Sequence, residues 1–373
     1  MLRIDLTALR ENARRLRTLV SPATVGFAVK ANAYGHGIDE VALAIEPIAT
    51  RLCVYSLDEA AALRDCGITK PILIMGPVAP EELEKALTAK AAVALWDTGN
   101  YFKRLATVAR RRNTSFPVHV KINSGLNRLG LATTDAADAI EDYLRVPEIT
   151  IEGIFSHLAS AEEVDSPFTL AQLAAFERAV APVQEQLQSR AGRPIHHIAA
   201  SAAAMLWPQT RLDMVRIGIA LYGLWPSPAT REAMDQNELS LMPALSYLSS
   251  LVAVRRIETG DPVGYGTTFH APHGMRIGIV PVGYAEGIPR ALSNRGAFAV
   301  GGARCPIVGR VCMNMTMLDV TAVADACAGD PVTLIGTDGE TTISADDWAA
   351  WAETINYEIV TRLPAGLPRE FIG

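Results

Sequence analysis

The residues of this chain best suited to chemistry are lysines, histidines, arginines and hydroxyls at the ends of short apolar runs. Lys30 follows Val25-Gly26-Phe27-Ala28-Val29, so its amine emerges from packed surroundings, where desolvation lowers a lysine pKa and suits it to Schiff-base chemistry. A solvent-facing lysine at a strand end has the same local sequence, and residue type alone leaves both readings open. Lys121 and Asn123 close a second run, His157 a third, Ser201 a fourth, and Arg216 with Gly218 a fifth. Ser201 and Arg216-Ile217-Gly218-Ile219 would present a hydroxyl and backbone N–H groups where a β/α barrel binds phosphate, although Ser201 could equally be a plain helix cap. Further on, Gly264-Tyr265-Gly266 holds a phenol between two glycines. With an ordinary pKa of about 10, such a phenol acts as a base only beside cations.

Two tempting patterns lead nowhere. Gly35-His36-Gly37 opens like a dinucleotide fingerprint, but Glu40 stands where the third glycine belongs. His196-His197 would point to opposite faces of a strand, and His270-x-x-His273 has no carboxylate at motif spacing, so no metal is expected.

The elements that must position these groups can be read from periodicity. Eight β-rich runs, 24–30, 51–56, 71–76, 91–96, 117–122, 149–157, 194–201 and 212–219, alternate with helical stripes such as Leu170, Leu173, Phe176, Val180 and Val183 within 169–190. That predicts an α/β chain: an N-terminal eight-stranded β/α (TIM-type) barrel over 1–235, preferred to an open sheet because the unusual residues sit at the ends of many strands. After about Met234, β-branched residues and Gly-rich turns predict a C-terminal, mostly β domain over 236–373, with a helix near 345–354 started by a Ser344/Asp347 capping box.

Composition sets the remaining bounds. The 373 residues are 49% hydrophobic and 20% charged, enough for a sizeable core. Net charge −6 argues against nucleic acid, and no apolar stretch approaches the roughly 18 residues of a membrane helix. Five cysteines without a C-x-x-C pair, and no export signal at the N-terminus, point to a reducing cytoplasm.

Several motifs together carry a family resemblance. Ala28-Val29-Lys30-Ala31-Asn32-Ala33-Tyr34-Gly35-His36-Gly37 resembles the cofactor-lysine motif of bacterial alanine racemases, pyridoxal-phosphate enzymes built on a β/α barrel. The segments 121–130 (KINSGLNRLG), 215–219 (VRIGI), 264–266 (GYG), 283–287 (GYAEG) and 354–358 (TINYE) follow in the family's order, so the resemblance spans about Ile4 to Arg369.

The resemblance implies an isomerase that interconverts L- and D-alanine, supplies D-alanine for peptidoglycan, binds pyridoxal 5'-phosphate and works as a homodimer with shared active sites. Removing an α-proton on one face and returning it on the other needs two acid/base groups. Lys30 would form the aldimine and serve as base for the D-enantiomer, and Tyr265, from the partner subunit, as base for the L-enantiomer. Arg216 would face the pyridine nitrogen, and His157 would contact Tyr265 and, with Arg216, supply a positive field. Tyr34, Ser201, Gly218, Ile219 and Tyr357 match phosphate-binding positions. Arg128 matches the arginine near the cofactor phenolate and substrate carboxylate, oriented by a carbamylated lysine that would be Lys121. Met313 and Tyr284 match partner-chain residues lining substrate entry and the carboxylate site. Asn314, Glu286 and Asn123 depart from usual aspartates, and Ala200 from a usual asparagine; none is a proposed acid or base.

Overall fold

All eight apolar runs form strands. The computed structural model describes residues 1–189, 192–235 and 239–373, and divides into two compact units. The first strand, β1 (Leu2–Asp5), belongs to the second unit, and the barrel begins with β2 (Thr24–Ala28), β3 (Arg51–Val54), β4 (Ile72–Ile74) and β5 (Ala91–Leu95). It continues through β6 (Phe116–Asn123), the short β7 (Leu131–Ala132) beside it, β8 (Ile149–Phe155), β9 (Ile195–His197) and β10 (Met214–Ile217). The order β10-β2-β3-β4-β5-β6-β8-β9 is parallel throughout. Bonds from Asp213 N to His196 O (3.1 Å) and Arg216 N to Ala199 O (2.9 Å) bring its two ends together, leaving an almost closed eight-stranded barrel.

Strands such as β5 are buried along their whole length, as parallel strands covered on both faces must be. The helix Leu6–Val20 buries Leu9, Ala13, Leu16 and Val20 on one stripe, while Asn12 donates to Leu221 O (3.1 Å) and Met242 O (2.8 Å) within the same unit. The long helical stripe is not continuous. It is a helix over Pro167–Val180, a 3₁₀ turn over Ala181–Val183 and a second helix over Gln184–Gln188, because Pro182 has no N–H to continue the ladder. The expected end of that stripe, Arg190, lies outside the described residues.

The second unit consists of Met1–Thr7, Tyr34–Gly37 and Ala244–Gly373, the first unit of Ala8–Ala33 and Ile38–Pro243. The sequence reading assigned everything before 236 to the barrel. Residues 1–7 depart from it because β1 pairs antiparallel with β11 (Leu245–Ser250) and parallel with β19 (Arg369–Ile372). Residues 34–37 depart because Gly35 lies against Val360, with its carbonyl accepting from Arg369 Nη2 at 2.9 Å. The expected boundary itself adjoins residues 236–238, which lie outside the described set.

The rest of this unit is mostly β: β12 (Ala253–Ile257), β13 (Met275–Val280), β14 (Ala297–Val300), β15 (Ala303–Pro306), β16 (Thr316–Asp319), β17 (Pro331–Asp338) and β18 (Thr341–Ile343). One sheet runs β15-β14-β17-β11-β1-β19 with β18 on β17, and another β12-β13-β16. Ser344 and Asp347 form the capping box of the helix Ala345–Ala352, whose buried Trp348 donates to Leu334 O at 3.0 Å between Tyr247 and Phe298.

Inside the barrel, a register shift between Val118 and His119 sets the His119 ring opposite Gly153. A Cβ on Gly153 would stand 2.3 Å from His119 Nδ1. Gly153→Ala should therefore destabilise the protein by about 1–3 kcal/mol, the cost of overpacking a filled core. Urea unfolding at neutral pH measures this, and an unchanged midpoint would mean the ring is free to move aside.

Candidate active site

Lys30 stands two residues beyond β2, and the backbone after it winds the wrong way. Ala31, Asn32, Ala33 and Tyr34 all have φ of 52–53°, a left-handed turn that costs residues with a Cβ roughly 1–2 kcal/mol each. Specific bonds hold it. Ala31 N donates to Glu59 Oε1 (2.6 Å), Ile38 N to Asn32 Oδ1 (2.9 Å), and Ala33 N to Val29 O (2.8 Å). Glu59 also caps the helix Leu57–Asp65, with Oε2 accepting from Tyr55 N (2.7 Å) and Ser56 N (3.1 Å). The Lys30 amine is half-buried, and its pKa is lowered first by burial and then by Arg128, against an opposing pull from Glu59.

Arg216 is the centre of the strand ends. It is 4% exposed, and its guanidinium donates to Ser156 O (2.7 Å), Ile198 O (3.1 Å) and His197 O (3.2 Å). It also faces His157 Nδ1 at 3.1 Å and His197 Nδ1 at 2.7 Å. Burial brings its pKa down to about 10, so it remains cationic at neutral pH. A guanidinium is a donor only, so both imidazole nitrogens facing it must be unprotonated acceptors. Both rings are therefore neutral. His157 is pushed down to about 3 by burial and then by Arg216, Arg128, Lys121 and Lys30, and His197 lies well below its usual value for the same leading reasons. The positive field assigned to the pair thus comes from Arg216, while His157 offers a neutral Nε2–H.

The fixed tautomer of His197 propagates inward. Its Nε2–H donates to His119 Nδ1 at 2.8 Å, so His119 carries its own proton on Nε2, which faces Glu152 Oε2 at 3.9 Å. Arg51 Nη2 donates to that same oxygen at 2.8 Å. His119 is lowered to about 4, mainly by burial, and Glu152 to about 2, mainly by its interaction with His119. A polar series, Arg51, Glu152, His119, His197, Arg216, therefore lies in the barrel interior, hydrogen-bonded throughout except at the 3.9 Å step from His119 Nε2 to Glu152 Oε2.

Lys121, Phe155 and His197 are register neighbours on β6, β8 and β9. Phe155 stacks on His197 (centroids 5.0 Å apart, rings 1° from parallel), with Lys121 Nζ at 5.4 Å and Arg216 Cζ at 5.3 Å from its centroid, favourable ring–cation distances. Burial, followed by repulsion from Arg128, Arg216 and Lys30, lowers Lys121 to about 8. Asn123 shapes the loop that carries exposed Arg128, its Oδ1 accepting from Gly125 N (3.2 Å) and Asn127 N (2.9 Å). Ser201 begins the helix Ser201–Leu206 instead of ending a strand, and its Oγ accepts from Gly218 N at 2.9 Å, just before Ile219. Lys30, Lys121, Arg128, His157, Ser201, Arg216, Gly218 and Ile219 thus all belong to the barrel unit.

The other expected residues belong to the second unit. The Tyr34 and Tyr357 rings lie 6.3 Å apart. Tyr265 is 73% exposed, between Gly264 (φ 74°) and Gly266 (φ 70°). A Cβ at either position would meet only the movable ends of Met317 and Arg310, at 2.9 and 2.8 Å, so it is the positive φ that calls for glycine. Tyr284 and Met313 are exposed. Among the described residues no three His, Cys, Asp or Glu side chains gather as metal ligands, and no helix is long and apolar enough to cross a membrane.

Comparison with known proteins agrees with this architecture. The alanine racemase N-terminal domain model matches residues 4–226, and the C-terminal domain model residues 244–371. The chain belongs to the alanine racemase family. An alanine racemase of Symbiobacterium thermophilum is 39% identical over 99% of this chain and 96% of its own, and one of Leptospira interrogans 39% identical over 98% and 94%. Among solved structures, the alanine racemase of D-cycloserine-producing Streptomyces lavendulae superposes with TM-score 0.93 at 31% identity, covering 100% of this chain and 96% of that one. The Bacillus anthracis alanine racemase, solved with bound L-Ala-P, gives 0.90 at 32% identity, covering 100% and 94%.

Membership of the alanine racemase family makes the chain an isomerase. What the motifs did not disclose is the chain from Arg216 to Arg51, since His119, Glu152 and Arg51 are unremarkable within their own strands. It carries an acid liability. The unfolded chain protonates His119 and His157 near pH 6.5, the folded chain only near 4 and 3. Their stabilising effect is complete above pH 6.5 and is lost as the pH falls toward 3. At pH 5 each should cost on the order of 2 kcal/mol of stability. The urea midpoint should fall steeply between pH 7.5 and 5, whereas a flat profile would mean that these rings are charged in the folded protein.

Proposed function

We propose that this isomerase interconverts L- and D-alanine with pyridoxal 5'-phosphate as cofactor, Lys30 and Tyr265 exchanging the α-proton on opposite faces of the substrate. The observation that carries this reading is the gathering of Lys30, Lys121, Arg128 and Arg216 within one electrostatic neighbourhood, with Arg216 spent on carbonyls and imidazoles. Such a site calls for an anionic ligand. Its donor set suits this cofactor: an amine of lowered pKa for the aldehyde carbon, a guanidinium for the ring nitrogen, and Ser201, Gly218 and Ile219 for the phosphate, to which the family resemblance adds Tyr34 and Tyr357. The bound cofactor supplies an electron-withdrawing ring that acidifies the amino acid's Cα–H.

The protein's own groups then divide the work. Lys30, with its depressed pKa, takes and returns the proton on one face. Arg216 keeps its proton, so it would hold a ring nitrogen placed against it in the unprotonated form, which makes the ring a weaker electron sink. His157 donates through Nε2–H toward the phenol of Tyr265. Arg128 binds the substrate carboxylate. Lys121, with a pKa of about 8, has enough neutral amine at physiological pH to add CO₂, losing a proton to become a carbamate that orients Arg128. Met313 and Tyr284 line substrate entry.

Tyr265 reaches the barrel of a partner subunit in a homodimer. Support comes from the large apolar groups that the second unit leaves exposed, Met313 (56%) and Met315 (49%) among them, as surfaces covered by a partner are. The five thiols are unpaired, which suits the cytoplasm, where D-alanine would be made for peptidoglycan.

With cofactor added, the protein should show a visible absorbance band that borohydride bleaches, and Lys30→Ala should lose both band and activity. No band in the unaltered protein would sink the reading. Tyr265→Phe should lower racemisation by roughly 10²–10⁴-fold. Equal, subunit-exchanged mixtures of the two variants should recover about a quarter of wild-type activity, because half the dimers are hybrids with one intact site of two. A mixture as inactive as its parents would show that each site is built within one chain.

A further inference from the structure

We propose that Asn314 and Glu286 form a latch that fixes Tyr284 and Met313 relative to one another and thereby tunes capture of the substrate carboxylate; the last step rests on the function proposed above. Two separate segments meet here, both in the second unit. The turn 283–287 donates Tyr284 N to Cys312 O (3.0 Å) and Ala285 N to Met313 O (2.9 Å), and the bond from Cys312 N to Met315 O (2.9 Å) folds the second segment to receive them. Contact is so close that a Cβ on Gly283 would lie 2.2 Å from Cys312 O and 2.4 Å from Met313 O.

Glu286 is the hub. Its Oε2 accepts from Gly283 N (2.8 Å) inside the turn, and its Oε1 accepts from Asn314 Nδ2 (2.7 Å) across to the second segment. Its carbonyl accepts from the hydroxyl of fully buried Tyr247 on β11 (2.8 Å), which ties the turn to the core. An ionised carboxylate accepts only, so residue 314 must present a donor. Asparagine does, and an aspartate does not. The amide of Asn314 is thus matched to the carboxylate of Glu286, and the pair carries one negative charge where an aspartate at 314 would bring two.

The pairing rule makes a non-additive prediction. N314D sets two acceptors together; E286Q leaves only one acceptor for two N–H groups. In N314D/E286Q every bond returns: the new aspartate accepts from the new amide, whose oxygen accepts from Gly283 N. Hydrogen exchange of the cofactor-loaded protein should show the Tyr284 and Ala285 amides opening about tenfold faster in each single variant and within about twofold of wild type in the double. KM for alanine should rise about five- to tenfold in N314D with kcat nearly unchanged, and fall back in the double. A double variant no closer to wild type than its parents, or unaltered exchange in N314D, overturns the latch. Exchange that follows the pattern while KM does not overturns its role in substrate capture. If the unvaried protein has no racemase activity, the proposed function fails while exchange still decides the latch.

Discussion

A buried guanidinium that donates to three backbone carbonyls and two imidazoles organises this protein. Arg216 cannot shed its charge or leave its donors unsatisfied without a cost of several kcal/mol. The carbonyls of Ser156, His197 and Ile198 must turn inward just past β8 and β9 to meet it. That requirement determines how these strands leave the barrel, and with it where His157 and Ser201 begin the next segments. The chain's most reactive region is thus positioned by main-chain atoms, which side-chain substitution nearby leaves in place.

The same cation arranges its neighbours' protons. Because it only donates, it forces one tautomer on His197, which forces one on His119. The sequence is anchored at its far end by the Arg51–Glu152 pair. Burial first, and then repulsion from Arg128 at Lys30 and from Arg128, Arg216 and Lys30 at Lys121, depresses both lysine amines, so amines of lowered pKa and a permanent cation coexist within a small volume. Such a cluster of cations favours an anion, and the cofactor proposed above would stabilise the protein as well as equip it.

Much of this was legible in the chain. The barrel strands show as apolar runs because both faces of a parallel sheet are covered, and the reactive residues stand out because they interrupt those runs at their carboxyl ends. Other features were not legible for definite reasons. The left-handed turn after Lys30 is built from Ala, Asn, Ala and Tyr, of which Asn alone favours such a conformation; it is imposed by Glu59 and Asn32. His119, Glu152 and Arg51 acquire meaning only once register brings β6, β8 and β3 around one axis. Residues 1–7 read as the start of the barrel because nothing local announces that the partners of β1 are Leu245–Tyr247 and Arg369–Ile372. Pro182, by contrast, carried a signal in the sequence that the reading of one helical stripe over 169–190 passed over.

That pairing of β1 bears on how the protein is made. Leu2 registers with Tyr247 on one side and Arg369 on the other, and Arg3 pairs with Glu370 at 2.8 Å. During synthesis the barrel's strands all emerge before either partner exists, and domains that can fold as they emerge do so. Residues 2–5 must therefore wait, with open hydrogen-bonding edges, until residues 369–372 have been made. A segment made before the barrel thus finds its place only after it, and the sheet of the second unit is complete only once β19 exists.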